Sequence, residues 1–207
     1  MTAAQGTVFI VDDDDGFRDS LALMLRLKGF TVEQFASAES FLAGFAPRGP
    51  SCLLVDVHMT GMSGLELQAE LKRRGHALPV IVITAYGDVA TARGALKAGA
   101  VDFLEKPLDE ESLGRIVAMA LDMDVARRES AELHADVEAR LARLTERERE
   151  VLDLVAAGRH NREIAAALGI SARTVEVYKA RMMEKMRVTR LPDLIRLILH
   201  HRNAQEN

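Results

Sequence analysis

Residues 7–16 read TVFIVDDDDG: five apolar or β-branched residues running straight into four aspartates and a glycine. A short Val/Ile-rich run bounded by turn residues is the mark of a strand buried on both faces, and such strands belong to parallel sheets covered by helices. The pattern repeats outward from this stretch. Residues 16–28 place Phe17, Leu21, Met24 and Leu25 at helical spacing, and Gly29 closes that helix. Residues 31–35 form a second strand, and Ser37 caps a helix with Glu39 and Ser40 in its first turn. Residues 52–55 form a third strand, followed by a helix that carries Leu65, Leu67 and Leu71 and ends near Gly75. Residues 79–83 form a fourth, with Pro79 in the first position, where proline is tolerated. Asp88 caps a helix that runs through Lys97 and stops at Gly99; residues 101–104 form a fifth strand, and a helix begins near Asp109. Five strands alternating with five helices predict a doubly wound α/β unit around a parallel sheet.

Beyond residue 109 the helical signal does not break. Residues 126–143 are rich in Ala, Glu and Arg and lack Gly and Pro, so 109–143 reads as one long or broken helix that includes a linker. Leu133, Val137, Leu141 and Leu144 form a stripe on it, which fits either a second chain or its own domain. Residues 144–207 hold no strand pattern and predict an all-α unit of four helices. Thr145 and Glu148 make a capping box for a helix over 146–157, and Asn161 caps 162–168. Ser171 caps a helix to about Arg187, and residues 192–201 form the last one. The domain reading is therefore 1–124, a helical linker over 125–143, and 144–207.

The formal net charge of −4 hides an asymmetry. Residues 1–124 hold 11 Lys and Arg against 18 Asp and Glu, whereas residues 158–190 hold 8 against 3. An acidic half followed by a basic half suggests two jobs, one of them on a polyanion. The single cysteine, Cys52, excludes an internal disulfide and fits a reducing cytoplasm. No basic and apolar leader opens the chain, and no apolar run approaches the ~20 residues that span a bilayer, so a cytoplasmic protein with no membrane segment is expected.

In a doubly wound sheet, chemistry gathers at the carboxyl ends of the strands. Here those ends carry Asp12 and Asp13, then Asp56, then Thr84, and the fifth strand runs into Lys106 and Pro107. A lone Asp at a strand end is most often a turn or cap residue. Compatible residues at the ends of successive strands are a different matter. Clustered carboxylates repel one another and favour a cation, and hard oxygen donors with room for water suit Mg²⁺. The cation and Lys106 would hold a phosphoryl group while Asp56 attacks it, and Thr84 would hydrogen-bond the phosphoryl oxygens.

The stretches FIVDDDD (9–15), LLVDVHMTGMSG (53–64), VIVITAYGD (80–88) and KAGAVDFLEKP (97–107) resemble the receiver domain of two-component response regulators, in its FixJ-like branch. The resemblance covers about residues 6–122 and implies strand order 2-1-3-4-5. It implies Asp56 as phosphoacceptor, and a Mg²⁺ site made of Asp12, Asp13, Asp56 and the His58 backbone carbonyl. It further implies Thr84 as switch hydroxyl, Lys106 as phosphoryl partner, Phe103 as an aromatic that changes rotamer, and a cis bond at Lys106-Pro107. His58 and Tyr86 stand where that family tunes the lifetime of the phosphate. One residue departs from the pattern: Thr60 follows Met59 where the family usually has proline. Asp14 and Asp15 are expected at the N-terminus of the first helix, where the helix dipole favours anions.

The segment NREIAAALGISARTVEVYKARMMEKM (161–186) reads as two helices joined by a short glycine-containing turn. Ile164, Ala165, Leu168, Val175 and Met182 or Met183 face inward, and Met186 also reads as core. Arg173, Thr174, Glu176, Lys179 and Arg181 lie on the exposed face of the second helix. With LTERERE (144–150) ahead of it, this half resembles the LuxR/NarL-type helix-turn-helix domain. The resemblance implies that Glu176, Val177 and Ala180 enter the major groove, that Arg162, Thr174, Lys179 and Lys185 contact phosphates, and that the last helix dimerises. Arg173 joins this DNA-binding set from the first turn of the recognition helix. Glu176 either accepts from a cytosine amino group or pairs with Lys179 at i+3. Adjacent His200 and His201 have poor spacing for a metal site.

The whole reads as a transcriptional regulator switched by a sensor histidine kinase. Its expected partners are that kinase, double-stranded promoter DNA with two-fold-related half-sites, and a second copy of itself when phosphorylated. It is expected to be a switch rather than an enzyme, with slow self-dephosphorylation at most. Two rivals stand beside this reading. Asp13, Asp14, Asp15 and Gly16 also fit the opening of a HAD-type phosphatase, with Thr84 as its second motif, but Phe17 stands where a threonine is usual and no late acidic pair follows. A receiver-like module that is never phosphorylated has Thr60 in its favour and the intact Asp56, Thr84 and Lys106 against it.

Overall fold

The computed structural model describes residues 6–46, 49–84 and 89–205. The chain divides into two compact units, with the division between Arg128 and Glu129. In the first, β1 (Thr7–Val11), β2 (Thr31–Phe35), β3 (Ser51–Asp56), β4 (Val80–Thr84) and β5 (Asp102–Glu105) alternate with α1 (Asp15–Leu27), α2 (Ala38–Gly44), α3 (Gly64–Arg73) and α4 (Val89–Lys97), and α5 (Glu110–Leu141) follows. All strand pairs are parallel, in the order β2-β1-β3-β4-β5.

The two-residue period of the strands builds two cores. Val8, Ile10, Cys52, Leu54, Ile81 and Ile83 face α1 and α5, meeting Leu21, Leu25, Leu113 and Val117. Phe9, Val11, Leu53, Val55, Val80 and Val82 face the other way, against Phe41, Leu67, Leu71 and Ala95. Each fully buried aliphatic side chain contributes about 1.5–3 kcal/mol. This two-sided burial is why the central strands β1, β3 and β4 are apolar between their ends, whereas β2, at the edge of the sheet, carries Glu33 and Gln34. On the second face, Phe9 and Phe41 meet edge to face at 5.7 Å, and Phe35 meets Phe41 at 5.3 Å.

Local chemistry starts the helices. Asp14 caps α1 by accepting from the Phe17 N–H at 3.0 Å, and Asp15 follows in the first turn. Ser37 caps α2, and Ser63 with Glu66 makes a reciprocal capping box on α3. Gly64 opens α3 because nothing larger fits: a Cβ there would lie 2.2 Å from the Asp56 carbonyl oxygen. The cap expected from Asp88 lies outside the described residues.

In the second unit, α6 (Glu146–Ala156), α7 (Asn161–Leu168), α8 (Ala172–Lys185) and α9 (Leu191–Gln205) are its complete helices. Two apolar clusters hold it, one of Val137, Leu144, Leu152, Met182, Met186, Leu194 and Ile198, the other of Val151, Val155, Ile164, Ala165 and Val175. Val137 belongs to α5, so the last turns of that helix pack with the second unit. Of the leucine stripe, Val137 and Leu144 are buried in their own chain while Leu133 stays exposed. Gly169 turns the chain between α7 and α8 with φ of 67°, a left-handed conformation that glycine adopts without strain. The start of α7 differs from expectation. His160 is the residue before the first turn, and its N–H donates to Glu163 at 2.8 Å, which leaves the Asn161 side chain free for another bond. No described helix is long and apolar enough to cross a membrane.

One buried polar contact ties α5 to the sheet. Asp124 is fully buried and accepts from the Ser51 N–H at 2.9 Å, from Arg127 at 2.6 Å and from Arg128 at 2.6 Å. Burial alone would raise its carboxyl, but the bonds from Arg128, Arg127 and Ser51 outweigh burial and hold it below the ordinary carboxylate range. A group with a depressed folded value stabilises above its unfolded value and loses that effect as pH falls. We expect Asp124→Asn to lower unfolding stability at pH 7 by about 1–3 kcal/mol, as for a lost buried charge-assisted hydrogen bond. In urea titrations the gap between wild type and variant should shrink as pH falls below about 4; a gap that stays constant down to that range would show that the charge is not what stabilises.

Candidate functional site

The register of the sheet assembles the first candidate site. Val11 pairs with Val55, Asp56 with Ile83, and Thr84 with Glu105. The residues at or just beyond these rungs, Asp12, Asp56, Thr84 and Lys106, therefore come to one edge. Asp12, Asp56 and Thr84 are 1%, 6% and 1% exposed. The Lys106 ammonium bridges the two carboxylates, 3.1 Å from Asp12 Oδ2 and 2.9 Å from Asp56 Oδ1, and lies 3.9 Å from the centre of the Phe17 ring.

Each carboxylate is held from more than one side. Asp56 Oδ2 accepts from the His58 N–H at 3.0 Å, and Asp12 Oδ1 accepts from the Asp14 N–H at 2.9 Å. Arg18 donates to the Asp12 carbonyl at 2.7 Å, fixing the backbone of the loop. The Lys106 N–H donates to the Thr84 carbonyl at 2.9 Å, and the Lys106-Pro107 bond is cis. Burial pushes the Asp56 carboxyl up, and Lys106 offsets this only in part. Burial also pulls the Lys106 ammonium down, but Asp56 and Asp12 outweigh it and leave Lys106 raised.

Of the remaining expected members, Asp13 lies at the rim. It is exposed, and both the N–H and the hydroxyl of Thr60 donate to its Oδ2, the N–H at 2.7 Å. Those bonds hold the Asp13 carboxyl below its ordinary value. Phe103 is half-buried against the core on the second face. Tyr86 lies outside the described residues. Among the described residues no three His, Cys, Asp or Glu groups converge as a metal cage. The donor set nevertheless suits magnesium, which takes one or two carboxylates and keeps several waters: Asp12 and Asp56 offer buried oxygens on a common ammonium.

In the second unit, Arg162, Arg173, Glu176, Val177 and Ala180 are exposed, and Thr174, Lys179 and Lys185 are half-buried. Ser171 starts α8 by accepting from the Thr174 N–H at 3.1 Å. Two of the lysines are already engaged. Lys179 donates to Asn161 Oδ1 at 3.0 Å instead of reaching Glu176, and Lys185 pairs with Glu148 at 2.6 Å. Glu148 is 2% exposed and also closes the capping box of α6. Sequence reasoning found the box and missed the ion pair, because Lys185 lies 37 residues away.

Comparison with known proteins bears on both halves. The response regulator receiver domain matches residues 8–118, and bacterial regulatory proteins of the luxR family match residues 142–198. The chain is 44% identical to the transcriptional regulatory protein FixJ of Azorhizobium caulinodans over 93% of this chain and 91% of that one. It is 47% identical to FixJ of Rhizobium meliloti, over 93% and 95%. The solved structure of the response regulator StyR is 40% identical, with a TM-score of 0.85, covering 95% of this chain and 100% of that one.

Lys106→Met would leave the Asp12 and Asp56 carboxylates facing each other without their cation. We expect unfolding stability without divalent metal to fall by about 1–3 kcal/mol, and the double variant Asp56→Asn with Lys106→Met to recover most of it. Denaturant unfolding of the three proteins at pH 7 measures this; a double variant no more stable than Lys106→Met would assign the loss to packing.

Proposed function

The chain belongs to the FixJ-like response regulators, transcriptional regulators that join a receiver to a LuxR-type DNA-binding domain, and from that membership we propose that phosphorylation of Asp56 switches its binding to DNA. Residues 1–124 serve as receiver, 125–143 as helical linker and 144–207 as output. The observation that carries the reading is the clamp on Asp56, a nearly buried carboxylate held by Lys106 at 2.9 Å with Asp12 on the same ammonium.

A sensor histidine kinase presents a phosphorylated imidazole. An Asp56 oxygen attacks phosphorus; a P–O bond forms, the P–N bond breaks, and its electron pair leaves with the imidazole. Magnesium held by Asp12, Asp13, Asp56 and the His58 carbonyl would supply charge neutralisation at the phosphoryl oxygens. Lys106 passes from the Asp56 carboxylate to those oxygens, and the Thr84 hydroxyl turns toward them. Phe103 moves into the space that Thr84 leaves, and the surface of α4 and β5 changes. That surface then pairs two receivers, or frees the output unit, or both. Taking such an equilibrium from 1:99 to 99:1 needs about 5.5 kcal/mol of differential stabilisation, within the range of a doubly charged group paired with a lysine in a partly buried site. Self-dephosphorylation is slow, and the protein works in the cytoplasm.

In the output unit, the first turns of α8 enter the major groove. Glu176, Val177 and Ala180 meet base edges, and Arg173 lies beside them. Arg162, Thr174, Lys179 and Lys185 take phosphates. Lys185 contributes least, since it must first leave the buried Glu148. Two copies set their recognition helices about one turn of DNA apart, ~34 Å.

The test is a selection of genomic fragments at fixed salt, with and without beryllofluoride and Mg²⁺, on wild type and Asp56→Asn. We expect the analogue to enrich a two-fold-symmetric site with wild type only. Enrichment that ignores both the analogue and the substitution would leave DNA binding standing and remove the switch. Radiolabel from acetyl phosphate found on Asp13 in place of Asp56 would instead favour the phosphatase-like reading.

A further inference from the structure

We propose that Thr60 is a positioning residue that holds Asp13 away from the cation position in the resting pocket, so that taking up a divalent cation and releasing the 58–62 loop are a single event. The inference rests on the reading of the Asp56 pocket given above and deepens it.

Three observations carry it. First, the Thr60 N–H, at 2.7 Å, and the Thr60 hydroxyl both donate to one oxygen, Asp13 Oδ2. Two donors on one residue, aimed at one oxygen, fix the direction of a carboxylate as well as its distance. Second, Asp13 is exposed at the rim while Asp12 and Asp56 are buried on Lys106, and among the described residues no three acidic, imidazole or thiol groups converge. Asp13 in this pose is therefore not a third ligand. Third, the loop that carries Thr60 is tethered on its other side as well. Glu39 Oε1, from the first turn of α2, accepts the Met62 N–H at 3.1 Å. Gly61 sits at φ of 81° with its α-carbon turned to that carboxylate, and a Cβ there would lie 3.1 Å from the same oxygen.

The loop between β3 and α3 is thus held by three carboxylates, Asp56 at the His58 N–H, Asp13 at Thr60 and Glu39 at the Met62 N–H, and of these it is Asp13 that the cation must turn. Turning Asp13 inward to ligate breaks both Thr60 bonds and leaves the stretch from His58 to Met62 held at its two ends, by Asp56 and by Glu39. The loop leads directly into α3, where Gly64 rests against the Asp56 carbonyl, so its release is felt at the phosphoacceptor itself. Valine at position 60 would keep the N–H bond and lose the hydroxyl bond. Proline would make neither, having no N–H and no hydroxyl.

The test uses the full chain and Mn²⁺ as the probe, counting free Mn²⁺ by electron paramagnetic resonance, for wild type, Thr60→Ser, Thr60→Val, Thr60→Pro and Asp56→Asn. A hydrogen bond to a charged group that must break before binding weakens binding by about three- to tenfold when partly exposed. We expect Thr60→Val to bind Mn²⁺ tighter by that factor, Thr60→Pro at least as tightly, and Thr60→Ser as wild type does. In ¹⁵N spectra, Mg²⁺ should shift the position-60 amide strongly in wild type and Thr60→Ser. Affinities unchanged or weakened in Thr60→Val and Thr60→Pro would overturn the latch, and so would equal tightening in Thr60→Ser. In those cases Mn²⁺ binding that is present in wild type and lost in Asp56→Asn keeps the pocket reading. No Mn²⁺ binding by any of the folded proteins would overturn both.

Discussion

Asp12 and Asp56 are two carboxylates buried at neighbouring strand ends, and one ammonium, Lys106, stands between them. Two like charges about 4 Å apart repel by about 4 kcal/mol at the effective dielectric of a protein surface. A cation within hydrogen-bond reach of both reverses the sign of the local energy. The arrangement is a product of topology. In the order β2-β1-β3-β4-β5 the chain reverses its direction of growth at β1 and β3, and the helices after those two strands leave to opposite faces. The edge between them stays open, and it is where a charged ligand can enter a doubly wound sheet. Lys106 arrives from the far side of β4, carried by β5 and set by the N–H bond to Thr84. Without β5 in register the ammonium would be absent, and the carboxylates would have to move apart or take up protons.

The loops around the pocket follow from that clamp. Because Asp12 is fully used by Lys106 and the Asp14 N–H, Asp13 is left to face outward, where Thr60 takes it. Because α3 must begin against the Asp56 carbonyl, position 64 has to be glycine, and Ser63 must cap the helix at once. The loop between is short and carries its own left-handed glycine, Gly61. Its three tethers, to Asp56 through His58, to Asp13 through Thr60 and to Glu39 through Met62, are all N–H groups donated to carboxylates. A loop built this way responds to any change of charge at those acids.

Much of this was legible in the sequence, and most of what was not has a common cause. The central strands were readable because burial on both faces keeps β1, β3 and β4 apolar between their ends; β1 and β2 match the expected spans, and β3, β4 and β5 differ by one residue at each end. The strand-end acids were readable because Asp cannot continue such a run. The contacts that resisted prediction join residues far apart in sequence: Thr60 with Asp13, Asp124 with Ser51, Glu148 with Lys185. Each member has a sufficient local explanation, as a loop residue, a helix-surface acid or a capping residue, and nothing local reports the second role. Asn161 failed for a different reason. Its neighbour His160 and the acid at position 163 satisfy the same N-terminal groups, and the choice between two caps one residue apart depends on where Lys179 lies. The helix expected to include a linker is a single element of 32 residues, because no glycine or proline interrupts residues 115–141.

The two lysine–carboxylate pairs of this chain show how similar distances serve different ends. Lys185 meets Glu148 at 2.6 Å, and Lys106 meets Asp56 at 2.9 Å. Glu148 also accepts from the Thr145 N–H within its own capping box, and its second partner ties α8 to the start of α6. The ion pair joins two helices of one unit, and removing Lys185 leaves the buried Glu148 charge without its cation, which is costly. At Asp56 the ammonium is shared with Asp12, and the second oxygen accepts a backbone N–H from a loop. An incoming phosphoryl group would bring new negative charge to a lysine that is already raised and poised, while an added cation would find carboxylates that Lys106 only half neutralises. The first pair can only be broken. The second can be exchanged, and a pair that exchanges partners without unfolding its surroundings is what a switch requires.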